Sequence, residues 1–224
     1  MEIVDGIHKV EGVTANTYVI TDGEDLTLVD TGMPRNAGKI LNYVHRINHQ
    51  ASNISKILLT HCHIDHVGSA YELRRITNAK LGIHLEDANY LSGKKPVPYS
   101  KGALGMLFKA MSPFFRFKTV EPDMTLREND KVGRFTVIHA PGHTPGSICL
   151  YDPEKKALFA GDTIKFDGER LSGPPERFTP DMQLAIRSIG KISKLDFNLM
   201  LSGHGEPLKS DASERVKELY ASLS

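Results

Sequence analysis

Cysteine is scarce: Cys62 and Cys149 are the only two in the chain. Two thiols do not make the framework of a small disulfide-built secreted domain, and that class is excluded. An excess of charge of one sign is lacking too. Lysine plus arginine number 28 against 27 aspartate plus glutamate, a formal net charge of +1. No global field draws the protein to nucleic acid, and none is expected as a partner. No apolar run approaches the roughly 20 residues of a membrane-spanning helix, so no stable membrane insertion is expected. The N-terminus, Met1-Glu2-Ile3-Val4-Asp5-Gly6-Ile7, has early acidic residues and no apolar h-region. A cytoplasmic location without a secretory signal is the expectation. No linker or low-complexity tract interrupts the 224 residues, which are enough for a substantial core.

What is present is concentrated in Thr60-His61-Cys62-His63-Ile64-Asp65-His66-Val67-Gly68. Three imidazoles and a carboxylate fall between His61 and His66. The apolar run Ile57-Leu58-Leu59 before them reads as a buried strand, and Ala70, Leu73 and Ile76 after them recur at helical spacing. The cluster therefore sits between a strand's C-terminal end and a helix's N-terminus, where α/β proteins place ligands. Imidazole nitrogen and carboxylate oxygen suit Zn²⁺ and related first-row ions. One histidine is ordinary surface or core; three in six residues with an aspartate between them predict a metal site.

Elsewhere the chain reads as two halves, each β-rich and then helical. Thr17–Thr21 and Leu26–Val29 flank the turn signal Asp22-Gly23. Residues 36–48 carry Ile40, Leu41, Val44 and Ile47 on one helical face. In the second half, Phe135–Ile138, Ser147–Tyr151, Lys156–Phe159 and Phe197–Leu201 read as strands. Residues 181–192 and 211–223 read as helices, and 167–180 as a loop. His143, Asp162 and His204 stand at strand ends or in Pro/Gly-bounded loops, as His61 does. His84 and His139 read as structural; His8, His45 and His49 as ordinary.

Residues 93–120 break this rhythm. They hold Lys94, Lys95, Lys101, Lys109, Arg116 and Lys118 with no acidic residue, interleaved with Leu104, Met106, Leu107, Phe108, Met111, Phe114, Phe115 and Phe117. An amphipathic helix fits 102–112. Long apolar and basic connections often form functional lids or binding loops. The expectation is a lid or insertion that admits a partly apolar, anionic small-molecule substrate. A homodimer contact, a membrane-surface helix and a plain packed helix stay open beside it.

Five motifs in order resemble the metallo-β-lactamase superfamily. They are Leu28-Val29-Asp30-Thr31-Gly32, His61-x-His63-x-Asp65-His66, Ala140-Pro141-Gly142-His143-Thr144-Pro145-Gly146-Ser147, Phe159-Ala160-Gly161-Asp162-Thr163 and Leu201-Ser202-Gly203-His204-Gly205. The resemblance implies an α/β fold, the αββα four-layer sandwich with two sheets face to face and helices outside, as a single domain over 1–224. It also implies a ligand set. His61, His63 and His143 would hold one ion, Asp65, His66 and His204 a second, and Asp162 would bridge them. Asp30 would hold the His61–His66 loop through hydrogen bonds.

Two Zn²⁺ about 3.5–4 Å apart can share a hydroxide and polarise a substrate oxygen. The expected function is therefore hydrolysis of a small ester, lactone, thioester or phosphodiester, with Asp65 as the catalytic residue that orients the hydroxide or carries a proton to the leaving group. Tyr90, Tyr99 or Tyr151 could stand near the metals, as a tyrosine does in lactonase-type members. Two other classes stay open. A dioxygenase of the persulfide type would use one Fe(II) held by His61, His143 and Asp162. A third would bind metal for stability alone. Only 20 residues follow His204, which by resemblance argues against the glutathione-thioester hydrolases, whose C-terminal helical extension is longer. His63 stands where the diiron flavoprotein branch has glutamate.

Overall fold

The computed structural model describes residues 1–97 and 117–223. These fall into two compact units, one built from Met1–Pro96 with a returning segment that ends at Thr125, the other from Leu126 onward. Most of 93–120, with the expected helix at 102–112 and with Tyr99, lies outside the described residues.

The first unit opens with an antiparallel meander, β1 (Glu2–Val4), β2 (Ile7–Lys9), β3 (Tyr18–Asp22) and β4 (Asp25–Val29). Helix α1 (Ala37–Arg46) then crosses to β5 (Ile54–Leu58), parallel to β4. Parallel neighbours need such a crossover, because a hairpin cannot join them. A single helical turn, α2 (Ile64–Val67), and α3 (Ala70–Thr77) lead to β6 (Lys80–His84), parallel to β5, and to α4 (Leu85–Leu91). The edge strand β7 (Met124–Leu126) completes seven strands in sequence order. Leu26, Leu28, Ile57 and Leu58 on the central strands are fully buried. Helix α1 buries Ala37, Ile40, Tyr43 and Val44. Its expected face shifts, with Tyr43 inside and Leu41 and Ile47 half-buried, because the helix stops at Arg46.

The described stretch that resumes at Phe117 is fastened to this unit. Val120 donates its N–H to the carbonyl of Leu91 at 3.2 Å, and Lys94 pairs with Glu121 at 2.8 Å. Arg74 grips the Asp123 carboxylate with two nitrogens at 2.7 and 2.8 Å, while Leu81 N–H donates to the same group at 3.0 Å.

The second unit is a five-stranded sheet. Strands β8 (Lys131–Val132), β9 (Phe135–His139), β10 (Ile148–Asp152) and β11 (Ala157–Gly161) run antiparallel. A small hairpin follows, β12 (Lys165–Phe166) and β13 (Leu171–Ser172), and then helix α5 (Met182–Ile192). Strand β14 (Leu199–Ser202) joins the sheet parallel to β11, and α6 (Ala212–Leu223) closes the chain. Ile138, Leu158, Ile189, Ile192, Phe197, Met200 and Val216 share one core. The hairpin replaces part of the expected 167–180 loop. Its turn is made by Asp167, whose Oδ1 accepts the N–H groups of Glu169 and Arg170 at 2.9 and 2.8 Å. Such a side-chain turn is invisible to hydrophobic periodicity. No helix among the described residues is long and apolar enough to cross a membrane.

Candidate metal centre

In the first unit the polypeptide runs off β5 into Thr60 and the histidine loop. Asp30, one residue past β4, organises that loop. Its backbone is left-handed, at φ +60°, and its side chain is buried. Aspartate is among the few residues that tolerate this conformation. Oδ1 accepts the N–H of Thr60 at 2.8 Å, and Oδ2 takes both the Thr60 hydroxyl and His66 Nδ1, each at 2.8 Å. The Thr60 hydroxyl in turn lies 3.1 Å from His61 Nδ1. A carboxylate only accepts, so the threonine proton points at Asp30 and the hydroxyl oxygen receives Nδ1–H from His61. His61 and His66 thus both carry their proton on Nδ1, and each presents the lone pair of Nε2.

The helical turn α2 brings the rest round. The N–H groups of His66 and Val67 both donate to the carbonyl of His63. The rings of His61 and His63 lie 4.9 Å apart, and those of His61 and His66 4.1 Å apart. Asp65 Oδ2 stands 3.9 Å from His66 Nε2, with the aspartate side chain 27% exposed. Ligand atoms of His61 with His63, of His61 with His66 and of Asp65 with His66 fall within 4.8 Å of each other. Cys62, between His61 and His63, is fully buried. Its backbone N–H donates to Oδ2 of the fully buried Asp87 at 2.9 Å. Burial, then the Asp87 charge, pushes the Cys62 thiol well above its ordinary range.

In the second unit the His143 loop is set against α5. Gly142 has φ +133°, and a Cβ there would lie 2.3 Å from the backbone nitrogen of Ala185. The Ser188 hydroxyl donates to the carbonyl of Pro141 at 2.7 Å. Buried His143 has its Nδ1 3.1 Å from the Thr179 hydroxyl. Asp162 follows the end of β11, and the His204 loop is pinned beside it on both sides. Gly203 N–H donates to Gly161 O at 2.7 Å and Glu206 N–H to Phe166 O at 2.8 Å. Gly205, at φ +89°, allows the approach; its Cβ would meet Phe166 O at 2.0 Å. In consequence one oxygen, Asp162 Oδ2, stands 3.5 Å from both His143 Nε2 and His204 Nε2.

These donors fit a metal. Ligand atoms about 2.0–2.1 Å from one ion at tetrahedral angles lie about 3.4 Å apart, close to the Asp162 spacings. The engaged Nδ1 atoms are the arrangement that fixes a ligating histidine.

Each unit therefore gathers its own share of the expected set: His61, His63, Asp65 and His66 in the first, His143, Asp162 and His204 in the second. His84 and His139, read from the sequence as structural, each make a local contact. His84 Nδ1 caps α4 by accepting from Glu86 N–H at 3.3 Å, and His139 Nε2 meets Pro145 O at 2.9 Å. His8 departs from its ordinary reading, being buried with Nδ1 3.2 Å from the Tyr43 hydroxyl. Tyr151 is held elsewhere, donating to Asp196 O at 2.7 Å. Sequence reasoning missed Asp87 and Thr179, which carry no motif and act through tertiary contacts. For Thr60 it gave no role.

Comparison with known proteins agrees with this chemistry. The family model described as the metallo-beta-lactamase superfamily matches residues 10–204. A probable metallo-hydrolase of Bacillus subtilis (strain 168), YflN, is 30% identical over 97% of this chain and 92% of its own length. The acyl-coenzyme A thioesterase MBLAC2 of Bos taurus is 27% identical over 94% and 80%. The hydroxyacylglutathione hydrolase GloC of Haemophilus influenzae is 26% identical over 89% of each. Among solved structures, TTHA1623 in a di-iron-bound form superposes with a TM-score of 0.72, at 24% identity, over 94% of this chain and 97% of that one.

Proposed function

The chain belongs to the metallo-beta-lactamase superfamily and is a metal-dependent hydrolase; from that premise we propose a dinuclear centre, with zinc as the metal, that cleaves small acyl thioesters and related esters. The observation that carries the proposal is the shared oxygen of Asp162, placed alike toward His143 and His204. A carboxylate so placed suits a bridging ligand. In this reading His61, His63 and His143 serve one ion, Asp65, His66 and His204 the other, and Asp162 both.

When bound, such ions make a water acidic enough to attack near neutral pH and polarise the acyl oxygen. The protein's own residues do the rest. Asp30 and Thr60 keep His61 and His66 in the ligating tautomer. Asp65, part exposed at its carboxylate, takes a proton from the attacking water and passes it to the leaving group.

Thioesters come first because one relative is named an acyl-coenzyme A thioesterase. The six cations and interleaved apolar residues of 93–120 suit an acyl chain on an anionic carrier. The GloC match spans 89% of that relative, which returns glutathione thioesters to the candidates despite the short stretch after His204. Both cysteines are free and buried, in accord with the reducing cytoplasm as the working compartment.

Elemental analysis of protein purified anaerobically from unsupplemented medium tests this reading, followed by assays with acyl-coenzyme A, glutathione thioesters, lactones and phosphodiesters. Two zinc per chain and thioester turnover lost in His143→Ala are expected. One iron per chain with oxygen consumption on persulfides overturns it.

A further inference from the structure

Thr179 has no place in any of the motifs, yet its hydroxyl is one of two groups on a short proton path. It lies 3.1 Å from His143 Nδ1 and 2.9 Å from the carbonyl of Pro175. The residue is buried, at 4% exposure. A carbonyl oxygen has no proton to give. The single hydroxyl proton of Thr179 therefore points at Pro175, and the contact with His143 is made only if Nδ1 carries the ring proton. The neutral ring then has its lone pair on Nε2, the atom that faces Asp162 Oδ2 at 3.5 Å.

The local backbone holds this arrangement. Residues Glu176–Phe178 form a 3-10 turn in which Phe178 N–H donates to Pro175 O at 3.0 Å and Thr179 N–H to Glu176 O at 3.1 Å. Two residues on, Asp181 caps α5 through Leu184 N–H at 2.9 Å. Asp181 N–H also donates to Gly142 O at 3.3 Å, next to His143 itself. Thr179 is thus carried on the same rigid corner as the ring it addresses.

We propose that Thr179 is a positioning residue that selects the Nε2-ligating tautomer of His143, the role the Thr60–Asp30 pair performs for His61. The inference rests on the metal-centre reading for its consequence but not for its geometry. In the first unit a carboxylate ends the path; in the second a backbone carbonyl does, so beyond the histidine itself the second path holds no ionisable group.

Two measurements on the full chain test it. Long-range ¹H–¹⁵N correlation spectra of metal-free protein, with the His143 signals assigned from His143→Gln, report the tautomer directly. A single form protonated on Nδ1 is expected in the parent and in Thr179→Ser, which keeps the hydroxyl. In Thr179→Val, of nearly the same shape, a mixture of tautomers is expected. Zinc competition against a chelator then shows binding about 10–100-fold weaker in Thr179→Val and close to the parent in Thr179→Ser. Thr179→Ala serves the same purpose if the valine variant does not fold. An unchanged tautomer and unchanged zinc affinity in Thr179→Val or Thr179→Ala overturn the proposal. A parent protein that binds no zinc overturns the metal reading instead, and the tautomer spectra still decide the role of Thr179.

Discussion

Asp30 and His66 are 36 residues apart in sequence and meet at 2.8 Å, carboxylate Oδ2 to imidazole Nδ1, with both side chains out of contact with solvent. The same oxygen receives the Thr60 hydroxyl. One acid at the end of β4 therefore orients two of the histidines proposed as ligands, one directly and one through a threonine.

Asp30→Asn keeps the left-handed backbone accessible but replaces one accepting oxygen by an NH₂ group. At least one of Thr60 and His66 then faces a donor instead of an acceptor. Metal affinity is expected to fall about 10–100-fold, with folding stability lower by about 1–3 kcal/mol. Chelator competition and urea denaturation measure the two effects separately.

Gly205→Ala places a Cβ 2.0 Å from the carbonyl oxygen of Phe166, whereas Gly133, also at positive φ (+59°), has open space around it. Gly133→Ala should cost about 1 kcal/mol of left-handed strain. Gly205→Ala should cost clearly more and should also weaken zinc binding, because the pinned His204 loop must shift. Equal losses of stability in the two variants, with unchanged metal binding, would contradict the pinning.

The Arg74 guanidinium beside Asp123 holds its carboxyl at about 2, below the ordinary 3.8. A depressed pKa means that the ionised form is favoured by folding. The contribution is nearly whole above about pH 5, shrinks as pH falls past 3.8 and is lost as pH falls through about 2. Asp123→Asn is expected to cost about 1 kcal/mol at pH 7, discounted because Arg74 is partly exposed. The gap to the parent should narrow between pH 5 and pH 3 in urea titrations. A gap that stays constant over that range means the pairing does not stabilise the fold.

Burial drives the Cys149 thiol up to about 12 and that of Cys62 well above its ordinary range. Neither should react with a disulfide reagent in native protein at pH 8, and both should react on unfolding. Rapid modification of one thiol in the native state would show that its surroundings open far more readily than the packing implies.

The sequence announces the candidate ligands but not what aims them. His61, His63, Asp65 and His66 are legible because a strand end and a helix start bring near neighbours together, so the chemistry is written locally. Strands β10 and β11 and helices α5 and α6 are legible from apolar runs and helical spacing, within a residue or two at each end. Thr179 and Asp87 are not. Each reaches its partner across a tertiary contact 36 or 25 residues away in the chain, and a lone threonine or aspartate is unremarkable until the fold is known. The β12–β13 hairpin escapes for another reason: its strands are two residues long, too short for periodicity to show. The turn α2 escapes likewise, since four residues cannot display a helical repeat.

The contacts of Val120 with Leu91 and of Lys94 with Glu121 act as a clasp. With the two stems fastened, the two ends of the intervening stretch are held side by side at one closed seam. Closing a longer stretch costs only about 0.6 kcal/mol for each doubling of its length. This seam is a place where the chain can gain, lose or exchange residues at little expense to the sheet beneath, while the histidine loop stays as it is.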